Sequence, residues 1–257
     1  MSNRERSIRT EGIILRRKDF GEADRILVLF TRKLGRISCI AKGSRKPSSK
    51  ISGHIEIFMR SSFLVSRGRN LHIVTQAETI EAYEDLRKNL SGIGMGSYVV
   101  ELVDAFTYEE GSNTKLYDLI LATLESLNNA DNPAIAIHYY ELHLLDLVGF
   151  RPELFNCVEC GKKITEQNQF ISGDLGGVIC PNCITNVSGA AVRPVSASTL
   201  KYMRHMQRSS LQSLLGLNIS PDNLERLEKV IRYYLTHTLE GHLNSPDFLT
   251  RIKEGKQ

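Results

Sequence analysis

The sequence has no tryptophan, and all nine of its tyrosines follow residue 80. The first 80 residues hold only four aromatic side chains: Phe20, Phe30, Phe58 and Phe63. Three of these lie inside apolar runs, where core is their expected role, and only Phe20, beside Gly21, is placed to meet a ligand. This excludes a binding surface built from a row of stacking rings, each worth ~1–3 kcal/mol per base. Long apolar runs are missing as well. None approaches the ~20 residues of a membrane span, and the opening MSNRERSIRT lacks the apolar centre of a secretory signal. The expectation is a cytoplasmic protein without a membrane partner, in a compartment where thiols stay reduced.

Acidic residues are scarce in one place. Residues 1–80 carry 17 Lys and Arg against 7 Asp and Glu, whereas the remaining residues carry 16 against 22. The net charge of +4 therefore hides a basic N-terminal segment joined to a mildly acidic body. A local excess of this size is the footprint of a polyanion partner. The candidate contacts are Arg16, Arg17, Lys18, Arg25, Arg32, Lys33, Arg36, Lys42, Arg45, Lys46, Lys50, Arg67 and Arg69. The segment from Gly43 to Lys50 is the strongest of these, because it has three cations, small polar residues and a proline, with almost nothing that could be core. With few rings available, phosphate contacts dominate the expected binding. Such binding tolerates single and double strands and weakens steeply with salt.

The apolar pattern divides the chain at the same place. Residues 8–80 show short runs rich in β-branched residues, separated by turn signals at Asp19-Phe20-Gly21, Lys33-Leu34-Gly35, Gly43 to Gly53 and Arg67 to Asn70. The runs Ile55 to Met59 and Phe63 to Val65 lack a turn between them and read as one bent strand. About five strands fit a small closed barrel, and the OB-fold is one. Beyond residue 84 the period is helical, as at Leu116, Leu119, Ile120, Leu124 and Leu127. Ser220-Pro221 opens another helix, with Ser220 the N-cap candidate. The segment 134–148 is apolar around most of its circumference and reads as a buried central helix. The fold class is α+β multidomain. An N-terminal five-stranded OB-fold β-barrel (1–80) precedes a mostly α-helical domain (81–257) with a four-cysteine insert at about 151–192.

Four of the five cysteines lie in that insert, as Cys157-x2-Cys160 and Cys180-x2-Cys183. The spacing matches paired knuckles for tetrahedral zinc, because two intervening residues let one tight turn aim both sulfurs at one ion. A pair of disulfides, a redox-active pair and an iron–sulfur cluster are the competing readings. Four protein ligands leave no open position, so the expected zinc is structural. Cys39, alone in a strand, reads as a small core residue.

No enzyme motif stands out. Gly92-Ile93-Gly94-Met95-Gly96 has the spacing of neither phosphate-loop fingerprint, and reads as a helix start or a close contact. His138, Glu141 and His143 would need His directly after Glu to form the inverted metalloprotease motif, and Leu142 intervenes. The expectation is a protein that is not an enzyme.

Several blocks are more specific. Gly12 to Arg16, Asp19 to Arg25, Leu29 to Arg32 and Gly35 to Gly43 come first in order. Gln76 to Glu78, Glu101 to Asp104, Tyr140 to Leu142, the four cysteines, Arg232 to Leu235 and Phe248-Leu249 follow. Together they resemble the RecO family along nearly the whole chain. The resemblance implies a DNA-binding recombination mediator in recombinational DNA repair and the DNA damage response. It implies binding of single- and double-stranded DNA, strand annealing, and help with RecR in loading RecA onto DNA coated by single-strand-binding protein (SSB). RecF is a further implied partner, and a nucleoid-associated position is the implied location. Contact with the SSB C-terminal tail through the helical body is also implied, with Tyr140, Leu142 and Leu145 as the candidate contacts. The rival readings are an RNA-binding OB-fold protein with a structural zinc, acting in RNA or ribosome metabolism, and a zinc-dependent hydrolase or nuclease.

Overall fold

A computed structural model describes residues 7–68, 70–108, 111–129, 131–187, 189–239 and 243–253. Two compact units form, Met1–Asn129 with Leu243–Gln257, and Ala130–His242.

In the first unit, β1 (Ser7–Phe20), β2 (Asp24–Thr31), β3 (Gly35–Ala41), β4 (Arg60–Ser66) and β5 (His72–Glu81) close a barrel in the order β1-β2-β3-β5-β4. Neighbours are antiparallel except β3 and β5, whose short parallel seam joins Cys39 to His72 and Ile40 to Ile73. Inward residues alternate strictly along β3 and β4, as the two-residue period of a half-buried strand requires. They meet in a core of Ile14, Leu27, Leu29, Ile37, Cys39 and Phe63, among others. Cys39 is the fully buried small core residue its strand position suggested.

β1 serves two neighbours. Residues 7–13 pair with β4, and the strand pairs with β2 through Phe20, past a bulge at Leu15. Ile55 to Met59 is not part of β4, contrary to the bent-strand reading. Phe58 adopts φ +52°, outside the β region, and turns the chain. The segment instead satisfies β1 at its bulge: the Phe58 N–H donates to Ile14 O at 2.8 Å, and the Ile14 N–H donates to Met59 O at 3.2 Å. Ile55 and Phe58 are buried there.

Two helices follow in the same unit, α1 (Leu90–Phe106) and α2 (Thr114–Asn128). Asn89 caps α1, its side chain accepting from the Gly92 N–H at 2.7 Å. A Cβ on Gly92 would lie 2.1 Å from Leu86 O, so the glycine-rich stretch is a helix start under close approach. The last helix, α7 (Ser245–Lys253), returns to α1. Glu101 of α1 accepts from the Asn244 and Ser245 N–H groups at 2.8 Å each, thereby capping α7. Burial alone would raise the Glu101 carboxyl, but these bonds outweigh it and hold it below the ordinary glutamate value. The stability this contributes is present above the unfolded-state pKa and is lost as pH falls through the lowered one. The barrel strands thus end at Glu81, while the compact unit continues through α1 and α2 and takes in α7.

In the second unit, α3 (Pro133–Leu147) packs against α4 (Ala197–Arg208), α5 (Leu211–Leu214) and α6 (Pro221–Thr238). A three-stranded sheet, β6 (Gln169–Ser172), β7 (Gly177–Ile179) and β8 (Arg193–Val195), is ordered β7-β6-β8. Ser220 occupies the N-cap of α6 without bonding the helix backbone; its hydroxyl accepts from Asn223 Nδ2 at 3.0 Å. No described helix is long and apolar enough to cross a membrane.

Candidate nucleic-acid interface and metal centre

The cations of the first 80 residues separate into two groups. The first is held by acidic residues of the same unit. Arg16 and Arg36 both bind Asp104 of α1, at 2.6 and 2.9 Å. Arg32 pairs with Asp118 of α2 and lies 4.9 Å from the centre of the Tyr117 ring. Arg17 pairs with Glu56. Lys33 belongs to neither group: it is exposed, has no acidic partner among the described residues, and donates to the backbone Arg9 O at 3.0 Å. Asp104 is only 12% exposed, so Asp104→Ala would leave two guanidinium groups without their shared partner. The expected cost is about 2 kcal/mol, between the ~0–1 of a surface pair and the ~3–5 of a broken buried one. Chemical denaturation of the purified variant checks it.

The second group gathers at the end of the barrel where β1 turns into β2. The loop after β3 folds back onto this turn. The Arg45 N–H donates to Ala23 O at 2.9 Å, the Gly43 N–H to Asp24 Oδ1 at 2.7 Å, and the Arg45 guanidinium to Gly21 O at 3.3 Å. Buried Ser44 anchors the loop beneath. Asp19 holds Arg25 at 3.2 Å and Arg45 at 3.3 Å. Lys18, Lys42 and Lys46 are exposed around the same turn and carry no ion pair among the described residues. Phe20 stands among them, 50% exposed, whereas Phe30, Phe58 and Phe63 are core. Lys50 closes the far end of the loop, also exposed. Arg67 is exposed beyond β4, and Arg69 lies outside the described residues.

Sequence reasoning passed over the acidic partners Asp104 and Asp118, and two further cations. Arg60 binds Glu11 at 2.7 Å. Arg9 is exposed on β1 and donates to Gln76 at 3.3 Å. The alternation of Arg9 and Glu11 with buried Thr10 and Gly12 was the available signal for an outward row.

The proposed peptide contacts need correction. Tyr140, Leu142 and Leu145 are all buried inside the helical unit. The segment is enclosed by α4, α5 and α6, so none of the three is available to line a groove. His138 and Glu141 of the same helix bond each other at 2.7 Å while buried, and His143 bonds Met206 O at 3.0 Å. They are the polar positions of a core helix, as their spacing suggested.

In the insert, two turns bring the cysteines together. The Gly161 N–H donates to Cys157 O at 2.8 Å, with Gly161 at φ +70°, and the Cys183 N–H donates to Cys180 O at 2.9 Å. The four Sγ atoms lie within 4.8 Å of one another, and Cys160 and Cys180 are 3.9 Å apart. All four are free thiols. Tetrahedral Zn–S bonds of ~2.3 Å place sulfurs about 3.8 Å apart, so the spacing and the donor set suit a closed metal site. Burial raises the Cys157 thiol, yet N–H donors from Cys180, Cys160 and Glu159 outweigh it and bring it to about 6, whereas the crowded neighbouring thiols push Cys183 up to about 12, so the four sulfurs do not all ionise together until a cation neutralises them. A thiolate is the form that ligates metal.

These features define a class: a small closed barrel bearing exposed cations at one end, coupled in sequence to a helical unit with a four-cysteine knuckle. Two family models match, the recombination protein O N-terminal model over residues 1–83 and the C-terminal model over residues 87–247. A DNA repair protein RecO from Roseiflexus is 40% identical over 98% of this chain and 88% of its own length. Another, from Dehalococcoides mccartyi, is 39% identical over 90% of each chain, and one from Thermoanaerobacter is 30% identical over 96% of this chain. The chain belongs to the recombination protein O family.

Proposed function

We propose that this protein acts in DNA repair as a recombination mediator without bond-making chemistry of its own. The observation that carries the reading is the barrel end around the β1–β2 turn, where Lys18, Lys42 and Lys46 stand exposed with no acidic partner among the described residues. The barrel is read as an OB-fold, in keeping with its five strands and its closure through β1 and β4. Single- and double-stranded DNA are the expected ligands, because phosphate contacts carry little sequence information.

Annealing follows from the same charge. Two strands repel through their phosphates, and a cationic surface lowers that repulsion. Of the four phenylalanines of the barrel segment only Phe20 is exposed, which leaves most bases free to find complements. The family and the names of the relatives support a role in DNA repair. A mediator of this kind would work with RecR, SSB, RecA and, in some settings, RecF. The surface for the SSB tail lies elsewhere than at Tyr140, Leu142 and Leu145.

The four cysteines would hold one structural zinc, which ties the two turns of the insert together and takes no part in binding DNA. Strand annealing on SSB-coated complementary DNA tests the function, with matched RNA strands as competitor. The expected result is faster annealing with the protein than without it. Preferential capture by RNA would favour RNA metabolism instead.

A further inference from the structure

A groove of about 480 Å³ opens on the barrel wall formed by β1, β4 and β5, away from the β1–β2 turn. Its origin is a register irregularity. Leu64 pairs with Gln76 and Val65 with Val74, so Thr75 is an extra residue in β5. The bulge leaves Thr75 and Gln76 both exposed, where a regular strand would turn one inward. Arg9 stands across the sheet in the same row, since Arg9 pairs with Leu64 and Leu64 with Gln76. Ile51, partly buried against the barrel core, lines the groove and supplies its apolar contact, while Ala77, paired with buried Phe63, contributes to the wall from the strand backbone side. Ser62 and Thr75 add hydroxyls, and Lys50 stands at the rim.

Two cations beside a small apolar contact, with hydroxyl and amide groups between them, match the chemistry of one nucleotide. We propose that this groove binds one nucleotide of a single strand, its phosphate between Arg9 and Lys50 and its base against Ile51. This rests on the nucleic-acid reading above and extends it. Lys50 ends the loop that Lys42 and Lys46 begin, so one loop supplies cations both to the β1–β2 end and to the groove. Glu78 lines the opposite wall and repels phosphate, which assigns the phosphate to the Arg9 side and leaves the carboxylate to accept from a base amino group. The volume falls within the ~300–1,000 Å³ of small-ligand pockets, and a duplex cannot enter it.

The test compares a short single strand with the matched duplex by fluorescence anisotropy across a salt series. Arg9→Ala removes one phosphate contact from an exposed side chain, and Ser62→Leu fills the groove without changing charge. Arg9→Ala should lower single-strand affinity about fivefold at 0.1 M salt and reduce the log–log salt slope by about 0.7. Ser62→Leu should lower single-strand affinity without changing the slope, and duplex affinity should hold in both variants. A free nucleoside monophosphate that competes on the wild type but has no effect on Ser62→Leu would assign the same groove to free nucleotide. Single-strand affinity unchanged in both variants, or an equal loss for duplex, overturns the groove. Wild-type protein that binds neither strand overturns the nucleic-acid reading itself.

Discussion

The triple variant Lys18→Gln, Lys42→Gln, Lys46→Gln should bind single-stranded DNA about a hundredfold more weakly at 0.1 M salt. Each phosphate contact on a single strand contributes ~0.7 to the log–log salt slope, so losing three contacts lowers the slope by about 2. The charge-dependent part of binding fades near 1 M salt, and one decade of salt at that slope is two decades of affinity. The fold should be indifferent to the change. All three lysines are exposed and make no ion pair among the described residues, so no acidic group is left unmatched. Arg16 and Arg36 make the contrasting control. Their guanidinium groups already share Asp104, and changing them alters stability as well as any binding. An unchanged salt slope in the triple variant would remove this end of the barrel from the interface.

Loss of one thiolate should have the largest structural effect. Metal analysis of the wild type should find about one equivalent of zinc, and Cys160→Ser should find almost none. Four sulfurs within 4.8 Å are brought together by two knuckle turns, a Cys180 N–H that donates to Cys157 Sγ at 3.3 Å, and a few backbone bonds between the segments at 153–158 and 176–178. Zinc binding is worth ~10–16 kcal/mol in isolated zinc-finger peptides, and most of that appears as folding free energy. Chelation should therefore raise hydrogen exchange across residues 153–183. Val158 and Val178, whose backbone groups pair at 2.9 Å, should be among the first to exchange. The core around Tyr140, Leu144 and Leu227 is apolar and independent of the thiols, so helix content should survive. DNA affinity that collapses on chelation while the barrel stays folded would give the ion a role beyond stability.

Local patterns were legible where the physics is local. The two-residue alternation in Gly35 to Ala41 is the burial alternation of β3. The Cys-x2-Cys spacing and Gly161 specify the knuckle turns, because a tight turn involves only four or five residues. Capping of α1 by Asn89 is equally local, although the sequence reading did not pick it out. Ile55 to Met59 failed for a non-local reason. Its apolar, β-branched composition suits a strand, but the bulged β1 needed partners for Ile14, and Phe58 turned out of the β region to supply them. The apolar helix 134–148 was read correctly as buried, yet that same burial removes Tyr140, Leu142 and Leu145 as a partner surface.

Composition alone set the excess of 17 cations over 7 acidic residues in the first 80 positions, the position of the thiols, and the shift from strand to helix near residue 84. Which cations remain available was decided by the tertiary structure. Asp104 and Asp118 stand far along the chain from Arg36 and Arg32, and only the packing of α1 and α2 with the barrel brings them together. A charge count sums over sequence, whereas an electric field falls off with distance in space. Neutralisation of an arginine by a carboxylate 68 residues away is therefore invisible until the chain has folded.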